Sequence, residues 1–247
     1  MLYASAKRGF KAGGFNANQA QRTPFDPERR WAYEAVAKGQ VGGVATLSAT
    51  GFVYDYRDIQ VTRVVPAPSG VGTLLTIENA AAASIDGLEL STAGNLHRAF
   101  AVDAAATYLK ARYDRYTTLN PSDPTQNPNR AGNPLPKAPQ WTVNLGATMT
   151  ADVAAGVKLT GRAEYRRQSA MFLNAFRDPF MRQDAYDLIN ARLALSRDDE
   201  RWTIAVIGRN LGNTLYAAGA SRVRGQTGNV RIWGPPRQYG VELAMAY

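Results

Sequence analysis

The 247-residue sequence has no cysteine and a single histidine, His97. The first absence excludes a disulfide framework and a thiolate metal site, and the second excludes a His-rich metal centre. No run approaches the ~18 apolar residues that a membrane helix requires, so the chain is not a helical membrane protein. The opening MLYASAKRGF lacks the apolar core of a secretory signal. An exported product is therefore expected to carry its signal in sequence outside these residues. Lys and Arg number 29 against 20 Asp and Glu, yet no basic helix or aromatic-studded RNA-binding motif gathers them. Nucleic acid is not an expected partner. Any Ser-His-Asp arrangement would depend on His97, and Asp55, Asp58, Asp86 and Glu89 have no accompanying base or nucleophile. Neither catalysis, a metal nor a cofactor is expected.

What is present is alternation. In the stretch from Trp233 to the end, Tyr239, Val241, Leu243, Met245 and Tyr247 alternate with Gly240, Glu242, Ala244 and Ala246. An extended backbone puts each set on its own face. The same period runs through Tyr33, Ala35 and Ala37 against Glu34, Val36 and Lys38, and through Trp141, Val143, Leu145, Ala147 and Met149. Val157, Leu159, Gly161, Ala163 and Tyr165 oppose Lys158, Thr160, Arg162, Glu164 and Arg166. So many charges on consecutive inward positions suit a wide aqueous lumen better than a packed core. Arg192, in the strand 185–196, joins them, and these charges are expected to form ladder pairs rather than a catalytic site. In the strand 44–65 the phase slips near Gly51 and Phe52, which predicts a bulge there.

The connections sort by length. Short turns near 41, 95, 154 and 198 alternate with longer loops near 20, 68, 125, 176 and 222, and the Pro-rich stretch 113–138 cannot hold a ladder. Aromatics gather near strand ends: Tyr3, Trp31, Tyr33, Tyr108, Trp141, Tyr165, Trp202, Tyr239 and Tyr247. Short turns at one rim, long loops at the other and aromatic girdles predict an all-β, antiparallel transmembrane β-barrel wall of about ten strands.

Six motifs, in order along nearly the whole chain, resemble the TonB-dependent outer-membrane receptors. They are YASAKRGFKAGGFN at 3–16, Glu28 with YEAVAK at 33–38, FVYDYRDIQV at 52–61, ENAAAASIDGLELS at 78–91, GRNLGNTLY at 208–216 and PPRQYGVELAMAY at 235–247. Val36 stands where that family usually has Gly, and Asn213 where Asp is common. The resemblance implies a barrel of about 22 strands plugged by an N-terminal domain, of which residues 1–247 would be the C-terminal part of the wall, incomplete by itself, with plug and signal peptide outside it. It implies transport of a scarce large ligand, with siderophore-bound iron first and a cobalamin-like cofactor or an oligosaccharide as alternatives. TonB would be engaged only through the N-terminal part. Outer-membrane lipid, lipopolysaccharide and the barrel-insertion machinery are the implied partners, the last through Tyr239, Val241, Leu243, Met245 and Tyr247. Ligand contacts, if made here, fall to loop residues Arg130, Phe172, Phe176, Arg177, Arg222 and Arg224, with lipopolysaccharide phosphate or solvent as the competing role for the arginines. Two other readings stay open: a small complete ten-stranded outer-membrane barrel with an enzymatic or adhesive role, and a soluble β protein that binds polyanions.

Overall fold

The computed structural model describes residues 1–17, 22–66, 73–120, 123, 125–199, 201–222 and 228–246. Its ten long strands form one antiparallel sheet in which every strand pairs with its neighbours in sequence order. They are β1 (Leu2–Lys11), β2 (Glu28–Val41), β3 (Ala45–Pro66), β4 (Thr73–His97), β5 (Phe100–Tyr116), β6 (Trp141–Ala154), β7 (Val157–Gln168), β8 (Tyr186–Arg197), β9 (Trp202–Arg209) and β10 (Gln238–Met245). Strands β1 and β10 each have one partner and do not pair with each other, so the sheet is open. A closed ten-stranded barrel is not the arrangement observed.

Register divides the residues into two faces, because directly paired positions in an antiparallel ladder point the same way. One row runs Ala4, Ala35, Gly51, Leu88, Tyr108, Trp141 across β1 to β6. Another runs Phe100, Met149, Gly161, Leu193, Val206, Val241 across β5 to β10. Large apolar residues of this face are exposed or half-exposed across its whole width, the exposed ones running from Leu47 and Leu88 to Leu193, Val206 and Leu243. Polar residues occupy the opposite face, with Ala32, Val36 and Ala205 buried among them. The small buried cores sit at the long-loop end instead, around Tyr113 and Tyr116 and around Leu173 and Met181.

The short connections are 42–44, 98–99, 155–156 and 198–201, and the long ones are 12–27, 117–140, 169–185 and 210–237; the loop expected near 68 lies outside the described residues. Several boundaries differ from the expectation. The ladder between β2 and β3 passes Ala35 and Gly51 without interruption, and the register shift falls between Tyr56 and Ile59. Asp58 absorbs it with φ of 57°, a conformation that Asp tolerates through local hydrogen bonding, so composition around Gly51 misplaced the bulge. Strand β4 continues to His97, whose Nδ1 accepts the backbone N–H of Ala99, and the turn is Arg98–Ala99 rather than 94–97. Strand β5 runs to Tyr116, into the region expected to be loop, because residues 113–116 contain no proline to interrupt the ladder. Trp233 belongs to a loop hairpin with Ala217, and the last wall strand begins at Gln238, after the two prolines. Tyr3 pairs with Val36 and so lies on the polar face, outside any aromatic girdle.

Candidate functional site at the long-loop rim

Above the wall, three loops interlock. Loop 169–185 holds Phe172, Phe176 and Phe180, and each ring carries an arginine. Arg177 lies 5.9 Å from the Phe172 ring centre and Arg130, from loop 117–140, lies 5.0 Å from Phe176. Arg231 lies 5.0 Å and Arg222 5.9 Å from Phe180, both reaching from loop 210–237. A desolvated guanidinium over an aromatic face is attractive by about 1–2 kcal/mol, so the middle loop ties down its neighbours.

Hydrogen bonds follow the same route. Lys137 N donates to Phe172 O at 2.8 Å and Asn133 Nδ2 to Ala175 O at 2.9 Å. On the other side Ala217 N donates to Gln183 Oε1 at 2.6 Å, and Arg231 Nη2 to Phe180 O at 2.9 Å. Asp178 is the densest of these joints. Its Oδ1 accepts from Phe180 N at 2.9 Å, starting a short 3-10 turn over Pro179–Met181, and its Oδ2 accepts from Arg222 at 2.7 Å. The Asp178 side chain is 3% exposed, and Arg222 supplies the opposite charge that offsets its removal from water.

Arg130 is 3% exposed. Its Nη2 donates to Thr118 O at 3.3 Å, its Nε has no partner, and burial lowers its pKa from the ordinary arginine value. It therefore does not present its guanidinium to solvent. Arg177 is exposed, with Phe172 and Phe176 half-buried beneath the rim. Of the six candidate ligand residues, five are thus brought into one loop cluster, and Arg224 lies outside the described residues. Asp178, Phe180 and Arg231 were missed by sequence reasoning. The spacing of Phe172, Phe176 and Phe180 by four was the one available signal.

The other loops are pinned by asparagines. Asn210, with φ of 48°, donates from Nδ2 to the carbonyls of Thr214 and Pro235, both at 3.0 Å, and accepts Thr214 N at 2.8 Å. Asn16 Nδ2 donates to Ile77 O at 3.0 Å and its Oδ1 accepts Ile77 N at 2.7 Å, strapping loop 12–27 to β4. Gly234 is required by packing, since a Cβ there would overlap the Tyr216 ring, which stacks on Tyr186 at 4.7 Å.

On the polar face, Glu34, Lys38, Lys158, Arg162, Glu164, Arg166 and Arg192 all share the side opposite the apolar rows. Arg162 donates to Asp103 at 2.9 Å and to Glu164 at 2.8 Å. The Asp103 bond crosses an entire strand, and Gly146 beneath it makes that possible: a Cβ would sit 2.5 Å from the Asp103 oxygens. Arg192 pairs with Glu242 at 2.8 Å, and Lys158 with Asp198 at 3.1 Å. Glu34 accepts from Tyr54 at 2.8 Å and lies 3.8 Å from Lys7. Arg166 donates to Gln168 at 3.1 Å. Glu34, Lys158, Arg162, Glu164 and Arg192 are thus answered by opposite charges, whereas Arg166 meets an amide and no ion pair is seen for Lys38 among the described residues. Asp55, Asp58, Asp86 and Glu89 do not assemble: Asp55 and Asp86 lie on the apolar side, Asp58 in the bulge and Glu89 on the polar face. Tyr239, Val241, Leu243 and Met245 form one exposed apolar line along β10, and Tyr247 lies outside the described residues.

A family model described as the TonB dependent receptor-like β-barrel matches residues 1–211. The chain belongs to that family. No curated protein matches it. Among solved structures, this TonB-dependent receptor barrel is similar to the ferric yersiniabactin uptake receptor of Yersinia pestis, with a TM-score of 0.78 at 18% identity, covering 97% of this chain and 34% of that one. The ferric preacinetobactin receptor of Acinetobacter baumannii matches with a TM-score of 0.67 at 20% identity, covering 98% of this chain and 33% of that one. A copper transporter matches with a TM-score of 0.66 at 18% identity, covering 100% of this chain and 38% of that one. The barrel strands described here therefore span about a third of the length of the two uptake receptors, and likeness at such identity is a likeness of fold.

Proposed function

We propose that the chain is the C-terminal part of the wall of an outer-membrane, TonB-dependent receptor that takes up a scarce large ligand, with a ferric siderophore first among the candidates. The observation that carries the reading is the division of the sheet: an exposed apolar face, a face of paired charges, and long loops locked together at one rim. An exposed apolar face of this extent needs lipid, and a face of ion pairs needs water. The siderophore assignment rests on neighbours whose names identify them as ferric-siderophore receptors. Copper is the second reading, because a copper transporter is similar about as closely as the preacinetobactin receptor, though less closely than the yersiniabactin receptor.

In this reading the plug and the segment that TonB contacts belong to sequence outside residues 1–247. Arg177, Phe172 and Phe176 face incoming ligand, Arg130 and Arg222 act as struts beneath them, and the apolar line of β10 is read by the insertion machinery. The test is uptake of radiolabelled iron chelates and of copper by cells producing the whole receptor, with and without TonB. TonB-dependent accumulation of an iron chelate, reduced by deletion of loop 169–185, is the expected result. Accumulation of copper alone would replace the siderophore assignment, and uptake that ignores TonB would sink the receptor reading.

A further inference from the structure

Two charged side chains are buried among the described residues, Asp178 and Arg130, and both stand in the rim loops. Asp178 has Arg222 as its opposite charge. Among the described residues no carboxylate meets Arg130: its Nη2 donates to Thr118 O over a long 3.3 Å, its Nε meets nothing, and the Phe176 ring lies 5.0 Å from its guanidinium. Other guanidinium groups of the rim are better served. Arg63, whose Nε is also without a partner, pairs through Nη1 with Glu78. Arg231 is half-buried and Arg177 exposed, so water reaches both. The one acid of loop 117–140 is engaged elsewhere: Asp123 Oδ1 accepts from Thr125 N at 3.2 Å and from Thr125 Oγ1 at 2.6 Å. Residues 18–21, 67–72, 121–122, 124 and 223–227 include no Asp or Glu.

Removing an ion from water costs more than one ring face and one long carbonyl bond return. Loops 117–140 and 169–185 therefore close over Arg130 against an opposing charge term, and the same burial holds its pKa below the ordinary arginine value. The cover over Arg130 is light. Gln126 Nε2 donates to Phe176 O at a long 3.4 Å, and Asn174 Oδ1 accepts Phe176 N at 3.1 Å from within the same loop. The backbone beside them is pinned, because Asn133 Nδ2 donates to Ala175 O at 2.9 Å. The Phe176 ring, half-buried at the surface, is thus the part of the cover that can move without unfolding the loop. Arg177 follows it directly and is exposed, so an anion drawn to that charge arrives beside the ring.

We propose that Arg130 is a covered recognition residue for an oxyanion group of the ligand, with the Phe176 ring as its cover. The group arrives beside Arg177, the ring swings off the guanidinium, and the freed fork takes two oxygens side by side. The positive charge left unanswered in the closed rim favours this exchange, so uncovering responds to the ligand's charge rather than to its size. Arg130 is then a support under load in the empty receptor and a ligand contact in the occupied one. The proposal rests on the reading of this rim as the ligand-facing end of a receptor. It narrows the substrate class to chelates that carry a carboxylate or similar oxyanion left free by the metal.

Two measurements on the whole receptor in vesicles test this. In hydrogen exchange without added ligand, Arg130→Met is expected to slow exchange at residues 129–133 and at Phe176 about fivefold, because the unanswered charge is gone. In calorimetric titration with sodium succinate, against sodium chloride of equal ionic strength, the unaltered receptor should bind and Arg130→Met should bind at least about tenfold more weakly. Phe176→Ala should bind succinate about fivefold more tightly, since no ring has to move first. Faster exchange in Arg130→Met would make Arg130 a plain support, and succinate binding that survives Arg130→Met would put the anion elsewhere; either overturns the proposal. Weaker binding by Phe176→Ala overturns the part played by the ring. If Arg130→Met does not fold, the absence of succinate binding by both the unaltered receptor and Phe176→Ala still overturns it. None of these measurements involves uptake, so a receptor that passes them and accumulates no iron chelate refutes the siderophore reading alone.

Discussion

The wall and the long-loop rim are held by different means. In the wall, backbone ladders join all ten strands, interrupted only by local register shifts such as that at Asp58, and side chains contribute chiefly by which face they occupy. At the rim there is little ladder, and single side chains such as Asp178, Asn210 and Asn16 hold backbone groups that strands would otherwise satisfy. The difference teaches where damage concentrates. A wall residue is costly when its polarity contradicts its face, and a rim residue when its hydrogen bonds have no substitute.

The largest expected effect breaks the wall side of this comparison. Leu193→Arg puts a charge in the middle of the apolar face, where Leu193 is 52% exposed, and should cost about 2–4 kcal/mol of folding stability in lipid. Urea titration of the receptor refolded into vesicles measures it. Arg192→Leu, one residue away on the other face, should cost far less, and an equal loss for both would contradict the assignment of faces.

Next is Gly234→Leu at the rim. The new side chain displaces Tyr216 from Tyr186, and overpacking of this kind costs about 1–3 kcal/mol. Limited proteolysis should cut loop 210–237 faster while leaving the wall protected. Cleavage within β9 or β10 at the same rate would mean that rim and wall are one cooperative unit.

Asp178→Ala should be comparable or slightly smaller, about 1–2 kcal/mol, because it removes the cap of the 3-10 turn and the partner of a half-exposed arginine. Hydrogen exchange should rise at Phe180 and Met181 and also in loop 210–237 through the loss of Arg222. Exchange confined to loop 169–185 would show that the loops are not coupled. The smallest effect is expected for Lys158→Gln, whose partially exposed pair with Asp198 contributes at most about 1 kcal/mol. A change above that in the urea midpoint would require a further role for Lys158.

The wall was legible because a period of two writes itself directly into the sequence. Tyr239, Val241, Leu243 and Met245 could be assigned to one face without knowledge of any partner. Glu34 through Arg192 likewise fell on the other face from spacing alone. The bulge was misplaced because a register shift depends on which residue accepts a left-handed backbone, and Asp58 resembles its neighbours in composition. The rim was half-legible. Its arginines and phenylalanines stood out as residues able to bind a ligand, and most of them bind one another instead. Arg130 and Phe176 are 46 residues apart, and no local pattern announces such a pair.

By itself, then, the sequence determined the strand period, the two faces, the count of ten strands and the sorting of short turns from long loops. Each of these is a consequence of backbone geometry acting over a few residues. Tertiary structure alone decided which loop charges remain open to a ligand, which are spent on neighbouring rings and carboxylates, and that Gly146 carries an ion pair across a whole strand. Those outcomes depend on contacts between segments distant in the chain, and the energy of such contacts is set only when the strands have placed them side by side.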